Sequence, residues 1–417
     1  MAGFKKNTQY YKFCFYGFLK NLRFFDAFFI LYLVEKGLPY TQIGVLYAIR
    51  EIVINILEVP SGFIADTYGR KNALIASFLA YIVSFGTFYF SSDFGLFLIA
   101  FVLYGVGDAF RSGTHKAMIM DYLNLNQWAN HKIDYYGHTR SWSQLGSALS
   151  SLAAGVIVFL KGDYQNVFLY SIIPYLINFA LILSYPRNLN YPLSSETVVF
   201  RSVSATIKSF FSVIRYKAVL RIINTAAVHT AYLKAVKDYI QLLMVHVVVL
   251  IPLFVGFDEK KRNGLIIGVI YFLIYLLTSR ASAVSAKFDI RGKTSIALIT
   301  LLTGFGFGIL SGIFYLTDMW VPALVVFAGI YIVENIRKPI LTGYISDRVP
   351  TSILASVISA QSLLKTIMTA VFAVVLGFLA DRFNIGVAFV AVSLFLALVS
   401  LLFSLLFKGE VKKSSLN

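Results

Sequence analysis

The sequence predicts an all-α polytopic membrane protein in which about 12 transmembrane helices form two six-helix bundles related by pseudo-two-fold symmetry. Of its 417 residues, 58% are hydrophobic and only 14% are charged, and the mean hydropathy is +0.74. A soluble domain carries about 25% charged residues. Apolar runs long enough to cross a bilayer recur along the whole chain, and motifs of the first half return in the second.

Each predicted span is a run of largely apolar residues, since about 20 such residues cross a bilayer. We number the spans 1 to 12 and place them at residues 13–34, 41–65, 72–90, 94–119, 139–160, 166–185, 222–252, 264–285, 294–316, 320–345, 353–379 and 385–407. The one long polar connection, 186–221, is expected to be a cytoplasmic linker. It separates an N-terminal six-helix bundle (1–185) from a C-terminal six-helix bundle (222–417).

The excess of basic residues sets the expected orientation. Lys and Arg number 37 against 20 Asp and Glu, a net charge of +17, and the bases fall mainly in alternate loops and at both ends of the chain. This bias predicts a protein integral to the plasma (inner) membrane with both termini in the cytoplasm. We therefore expect a monomer whose partners are the lipid bilayer and a small-molecule substrate, and not nucleic acid. The single cysteine excludes an internal disulfide and a cysteine-built metal site, and we expect no metal or other cofactor.

A short polar loop separates spans 2 and 3. Its residues Gly62, Asp66, Gly69, Arg70 and Lys71 form the pattern Gly-x-x-x-Asp-x-x-Gly-Arg-Lys. This pattern resembles the signature loop of the major facilitator superfamily, although Thr67 stands where that family commonly has a basic residue. The resemblance implies a cytoplasmic gate that latches the two halves, with Asp66 near the start of span 11. We expect Gly62 to permit a close backbone approach and Gly69 to adopt a left-handed turn.

The two halves carry matching polar motifs. The loop sequence from Asp66 to Lys71 is echoed around Asp289, which we therefore add to the gate residues. Asp108, Arg111 and Asp121 recur with one common offset as Glu334, Arg337 and Asp347. The pairs fall on spans 4 and 10, which a duplicated six-helix unit would make equivalent.

Ionisable residues at membrane depth concentrate in spans 1, 4, 7 and 10. A charge at mid-bilayer costs at least ~2.5–3.5 kcal/mol, so these residues are expected to face a watery cavity or the protein interior. The candidate substrate and proton cavity consists of Arg23, Asp26, Asp108, Arg111, His115, Lys234, Lys237, Asp238, Gln241, Glu334, Arg337 and Lys338. Helical spacing predicts ion pairs between Asp108 and Arg111, between Lys234 and Asp238, and between Glu334 and Arg337 or Lys338.

The bases in this set outnumber the acids, which favours an anionic or zwitterionic solute. The chain also resembles a broad bacterial branch of the superfamily with unassigned substrates, in the segments 110–117 and 237–241. We therefore expect a secondary active transporter that works by alternating access, with the proton as candidate coupling ion, and not an enzyme. Two alternatives stay open: a proton-linked exporter of amphipathic drugs and a non-transporting membrane sensor on the same fold. Span 5 lacks the Gly-Pro element typical of the drug antiporters of this family.

Asp26 is the residue that we expect to carry the coupling proton. Four phenylalanines flank it, and burial among them favours the protonated acid, whereas pairing with Arg23 would keep it a fixed carboxylate. The first outcome is favoured if Arg23 extends away toward the cytoplasmic end. In the second outcome the proton would use Asp108, Glu334 or Glu51.

Overall fold

The computed structural model describes residues 4–191, 217–285, 294–349 and 351–406. The helices are α1 (Thr8–Leu19), α2 (Phe29–Glu35), α3 (Tyr40–Tyr68), α4 (Arg70–Phe90), α5 (Phe94–Arg111), α6 (Thr114–Leu125), α7 (Lys132–Lys161), α8 (Asn166–Leu183), α9 (Lys217–Val236), α10 (Ile240–Leu250), α11 (Glu259–Ser285), α12 (Thr294–Leu316), α13 (Trp320–Arg348), α14 (Thr351–Arg382) and α15 (Ile385–Leu406). Short 3-10 turns lie at Phe24–Ala27, Ala129–His131, Arg187–Leu189 and Lys237–Tyr239.

These helices account for the predicted spans. Within the described ranges, nine segments are long and apolar enough to cross a bilayer. Spans 1 and 7 are built from shorter pieces, α1 with α2 and α9 with α10, and the strongly charged α3 forms span 2. The predicted all-helical polytopic fold is confirmed. Helix α9 begins at Lys217, before the predicted start of span 7, and residues 192–216 of the predicted linker lie outside the described residues.

Spans 1, 4 and 7 are interrupted, whereas the sequence predicts continuous helices there. Span 1 breaks between α1 and α2, where Arg23 and Phe28 have non-helical backbone angles. Span 4 breaks at Ser112 and Gly113, because Gly113 adopts φ +77°, a conformation that glycine adopts without strain. Span 7 changes to a 3-10 turn at Lys237–Tyr239. Irregular backbone at membrane depth is tolerated where it is buried in protein or lines a watery cavity.

The chain divides into two compact units. Unit 1 comprises Met1–Tyr32, Ile52–Phe200 and Leu253–Tyr275, and unit 2 comprises Leu33–Glu51, Arg201–Pro252 and Leu276–Asn417. The core of unit 1 is aromatic: Phe168 packs on Phe25 and Phe88 with ring centroids 5.2 and 5.0 Å apart. Unit 2 has an aliphatic core in which Val219 of α9, Ala297 of α12 and Leu341 of α13 lie together. The bundle boundaries expected from the sequence, at 185 and 222, remain predictions.

Candidate functional site

An ion pair lies at the break in span 1, within unit 1. Arg23 Nη2 lies 2.8 Å from Asp26 Oδ2, and Arg23 Nη1 donates to the Tyr104 hydroxyl at 2.7 Å. Asp26 lies in the 3-10 turn, not in the middle of a continuous helix. The expectation that Asp26 carries the proton rested on Arg23 lying away from it, and in this structure the two residues are paired. Proton transfer at Asp26 stays a prediction.

The end of α5 carries the second charged group of unit 1. Arg111 Nη2 donates to Asp108 Oδ1 at 2.7 Å, which confirms the predicted pair. The Tyr81 hydroxyl of α4 donates to the same Asp108 oxygen and accepts from Arg111 Nε at 2.9 Å. Because Ser112 and Gly113 end α5 directly after Arg111, the pair lies beside the break in span 4.

His115 follows this break in α6 and is held by aromatic side chains. Its ring stacks on Tyr16 with the centroids 3.5 Å apart, and its Nε2 lies 3.1 Å from the Tyr185 hydroxyl. The nearby Lys20, at the end of α1, interacts electrostatically with Arg23, Arg111 and Asp108. His115 is therefore packed against span 1, and Lys20 is a neighbouring titratable residue that the sequence did not single out.

The break in span 7 carries the charged group of unit 2, with partners that differ from the prediction. The predicted pair of Lys234 with Asp238 is wrong: Lys234 Nζ lies 2.8 Å from Glu51 Oε2 on α3. Asp238 accepts from the Tyr47 hydroxyl at 2.9 Å and lies 3.6 Å from Lys237 Nζ. The 3-10 turn is the physical reason, since it removes the regular helical spacing on which the prediction depended. Gln241, one turn beyond, is fully buried.

In span 10, too, the charged residues have partners other than those predicted. Glu334 is 1% exposed and accepts from Thr230 Oγ1 at 2.8 Å, with His229 Nδ1 at 2.8 Å. The predicted partner Arg337 instead donates to the Thr225 and Ala297 carbonyls. Lys338, four residues after Glu334, is exposed.

The predicted loop between spans 2 and 3 is reduced to Gly69, and its charged residues lie at the adjoining ends of α3 and α4, where they bond within unit 1. Arg70 Nε donates to Asp66 at 2.9 Å, and Arg70 Nη1 donates to Asp121 of α6. Lys71 Nζ donates to the Leu183 and Tyr185 carbonyls at 2.6 and 3.1 Å. Arg70 therefore joins the loop to span 4, and Lys71 joins it to the end of α8.

Three expectations for this loop have different outcomes. Gly69 has φ +105°, which confirms the predicted turn. The close approach expected at Gly62 is wrong, because a Cβ there would meet nothing within 4 Å. Asp289 lies outside the described residues, as do the side chains of 351–356, so the contact expected for Asp66 stays a prediction.

One asymmetry distinguishes the ion pairs at the helix breaks from those in the loops. At the breaks the cation is the more exposed partner: 29% for Arg23 against 25% for Asp26, 27% for Arg111 against 19% for Asp108, 38% for Lys234 against 4% for Glu51, and 36% for Lys237 against 11% for Asp238. In the loops the order reverses, with Asp66 at 26% and Arg70 at 11%. The cation is therefore the more exposed partner of each pair at a break, by a wide margin for Lys234 and Lys237 and by a narrow one for Arg23.

Several contributors escaped the sequence analysis. Tyr47, Tyr81 and Tyr104 bind the charged residues through their hydroxyls, and Thr230 does the same for Glu334. In an aromatic-rich sequence these tyrosines are indistinguishable from packing residues, and their spacing gives no signal. Over the ranges that the structure describes, no group of three or more His, Cys, Asp and Glu side chains is arranged to hold a metal ion.

Comparison with known proteins relates most of the chain to membrane transporters. A family model described as Major Facilitator Superfamily matches residues 14–373. The uncharacterized MFS-type transporter YxaM of Bacillus subtilis (strain 168) is 23% identical over 388 residues, which is 91% of each chain. The uncharacterized MFS-type transporter MJ1317 of Methanocaldococcus jannaschii is 38% identical over 77 residues, 18% of this chain and 19% of that one.

Solved structures agree with the fold. The nucleoside transporter NupG is similar with a TM-score of 0.72 at 12% identity, over 97% of this chain and 100% of that chain. A POT family transporter in complex with 5-aminolevulinic acid is similar with a TM-score of 0.69 at 16% identity, over 96% and 97% of the two chains. At such low identities the likeness concerns the fold alone.

Proposed function

The chain belongs to the major facilitator superfamily and is a multi-pass membrane transporter, and on this premise we propose that it moves a small anionic or zwitterionic solute by secondary active transport. We propose further that it works by alternating access, with the proton as coupling ion. The monomeric state, the inner membrane and the cytoplasmic termini belong to the same proposal. The observation that carries the solute class is the exposure of the cations at the helix breaks.

The physical reason is the cost of charge at membrane depth. A lysine or arginine head group there faces protein or water rather than lipid, so the exposed part of each cation marks a water-accessible surface. An anionic solute group that reaches this surface gains charge-assisted hydrogen bonds, for which arginine offers a planar pair of donors. The better buried carboxylates stay available to fix the cations or to bind the ammonium group of a zwitterion.

Solute flux into proteoliposomes tests this proposal. We expect the purified chain to accumulate at least one of glutamate, succinate and inorganic phosphate when a pH gradient is imposed, and to carry choline no faster than empty liposomes do. Accumulation of tetraphenylphosphonium in place of the anions would favour an exporter of amphipathic compounds and would refute the proposed solute class.

Replacement of Asp26 by asparagine separates the two roles considered for this carboxylate. The ion pair with Arg23 supports the fixed-anion role, so Asp26→Asn is expected to leave Arg23 misplaced. We expect gradient-driven accumulation and exchange at equal concentrations to fall together, by roughly 10- to 150-fold, for the loss of a charge-assisted bond worth ~1.5–3 kcal/mol.

The control for this prediction is Asp258→Asn, because Asp258 is 82% exposed in a loop. Flux measured for both variants at several pH values checks the result. Loss of accumulation with intact exchange would instead identify Asp26 as the proton carrier.

A further inference from the structure

The first three turns of α3 make an unusual set of contacts within unit 2. Asp381, at the end of α14, accepts from the Tyr40 and Thr41 backbone N–H groups at 2.9 and 2.7 Å and from Thr41 Oγ1 at 2.6 Å. The first N–H groups of a helix have no partner inside the helix. The cap of α3 is therefore supplied by a side chain 340 positions away in the sequence.

Below this cap, α3 and α14 pack backbone against backbone. A Cβ built on Gly44 would lie 2.2 Å from the Ala373 carbonyl oxygen, and one built on Gly377 would lie 2.2 Å from the Tyr40 carbonyl oxygen. No side chain fits at either position without moving one of the helices.

Farther along, α3 is bound to the break in span 7. Tyr47 binds Asp238, and Glu51 binds Lys234. Residues 40–51 extend over roughly 16 Å at 1.5 Å per residue, and we call them the latch segment. The latch segment is the part of α3 that belongs to unit 2, whereas α3 from Ile52 onward belongs to unit 1.

The ion pair between Glu51, the last residue of the latch segment, and Lys234 has unequally exposed partners. Glu51 is 4% exposed and is also held by Arg50 at 3.2 Å, whereas Lys234 is 38% exposed. An anion that approaches from the exposed side reaches the lysine ammonium first. It gives Lys234 a new counter-ion and leaves Glu51 with Arg50 alone, so the Glu51–Lys234 bond is lost, one of the two bonds between α3 and span 7.

We propose, on the basis of the proposed function, that Lys234 binds the anionic group of the transported solute and that this binding displaces Glu51 and releases the latch segment. The solute then favours the unlatched state because it binds Lys234 better once Glu51 has left. A ligand shifts a conformational equilibrium only through such a difference in affinity. Lys234 is thus both a solute-binding residue and the trigger of the conformational change.

A buried position on the latch segment provides the reporter. Ala48 is 6% exposed and lies one turn after Gly44, so a cysteine there is expected to react slowly with a membrane-impermeant maleimide until the latch segment leaves. The native Cys14 is fully buried and is replaced by alanine in all variants. Labelling rates are measured on the purified full chain in detergent.

We expect Glu51→Gln to raise the labelling rate roughly tenfold without any anion, because glutamine keeps the size of the side chain and loses the ion pair. Glutamate, succinate or inorganic phosphate is expected to accelerate labelling in the reporter background, and Lys234→Met is expected to remove this response. Lys234→Arg restores the charge and the response. Lys161→Met, at the far end of α7, is the matched control and is expected to behave as the background does.

The outcomes separate this inference from the proposed function. Labelling of Glu51→Gln at the background rate would overturn the latch. Transport of an anion by Lys234→Met with an unchanged KM would overturn the role of Lys234 and leave the proposed function intact. If the unmodified chain carries none of the three anions, the proposed function fails and the anionic trigger fails with it, whatever Glu51→Gln shows.

Discussion

Gly44→Val is expected to hold the latch segment off α14 and to stop transport. The added Cβ would lie 2.2 Å from a backbone oxygen, which cannot move aside as a flexible side chain can. Overpacking of a close contact costs about 1–3 kcal/mol, and a difference of this size shifts a conformational equilibrium roughly 5–150-fold. We expect the Ala48→Cys reporter to be labelled faster by a factor in this range, with little further acceleration by anions.

The control for this prediction is Gly86→Val, about one turn before the end of α4. A Cβ on Gly86 would meet nothing within 4 Å, and the intrinsic effect of valine on helix stability is the same at both positions. Asp381→Ala provides a second route to the unlatched state without overpacking, through loss of a cap worth about 0.5–2 kcal/mol. If Gly44→Val and Gly86→Val show the same labelling rate and the same transport rate, the α3–α14 contact has no role in the transport cycle.

Hydropathy alone located the spans because the bilayer demands a long apolar run at each crossing. The helices α4, α12, α13 and α15 begin or end within a few residues of the predicted limits. The interruptions in spans 1 and 7 were missed, since they contain no glycine or proline at the break. Side chains of other helices bond to the backbone there, Ser171 to the Phe24 N–H group and Tyr331 to the Lys237 carbonyl. In span 4 the dipeptide Ser112–Gly113 was a usable signal for the break.

The pairing of charges was predictable only where both partners lie in one regular helix. Asp108 and Arg111 end α5 at helical spacing and form the expected pair. Lys234 and Glu334 find partners on other helices, Glu51 and His229, and such a choice depends on how each helix is rotated about its own axis. Asp381 gave no signal for its role, because nothing local distinguishes a carboxylate that ends one helix from a carboxylate that caps another.

The repeat between spans 4 and 10 illustrates the same limit. Arg111 and Arg337 occupy matching positions in the sequence, yet their surroundings differ. Arg111 is 27% exposed and pairs with a carboxylate, whereas Arg337 is fully buried and donates to the backbone of other helices. We infer that Arg111 binds the solute and that Arg337 stabilises the fold.

Replacement of Arg337 by lysine is therefore expected to destabilise the protein almost as much as replacement by methionine. Arg337 Nη1 donates to the Ala297 carbonyl at 2.6 Å and to Thr300 Oγ1 at 2.7 Å, and Nη2 donates to the Thr225 carbonyl at 2.6 Å. These bonds join α9, α12 and α13 beside the aliphatic core of unit 2. A single ammonium nitrogen cannot reproduce the two-pronged geometry of the guanidinium group, and each buried acceptor left without its donor costs about 1–3 kcal/mol.

Thermal unfolding of the purified chain in detergent measures this effect. We expect Arg337→Lys and Arg337→Met to lower Tm by several degrees, and Arg382→Lys, an exposed change at the end of α14, to leave it unaltered. Arg111→Lys completes the comparison. Because Arg111 is partly exposed and pairs with Asp108 beside the break of span 4, we expect this variant to unfold near the wild-type temperature but to lose solute flux. If Arg337→Lys had the same Tm as Arg382→Lys, the three bonds of Arg337 would contribute nothing to the stability of unit 2.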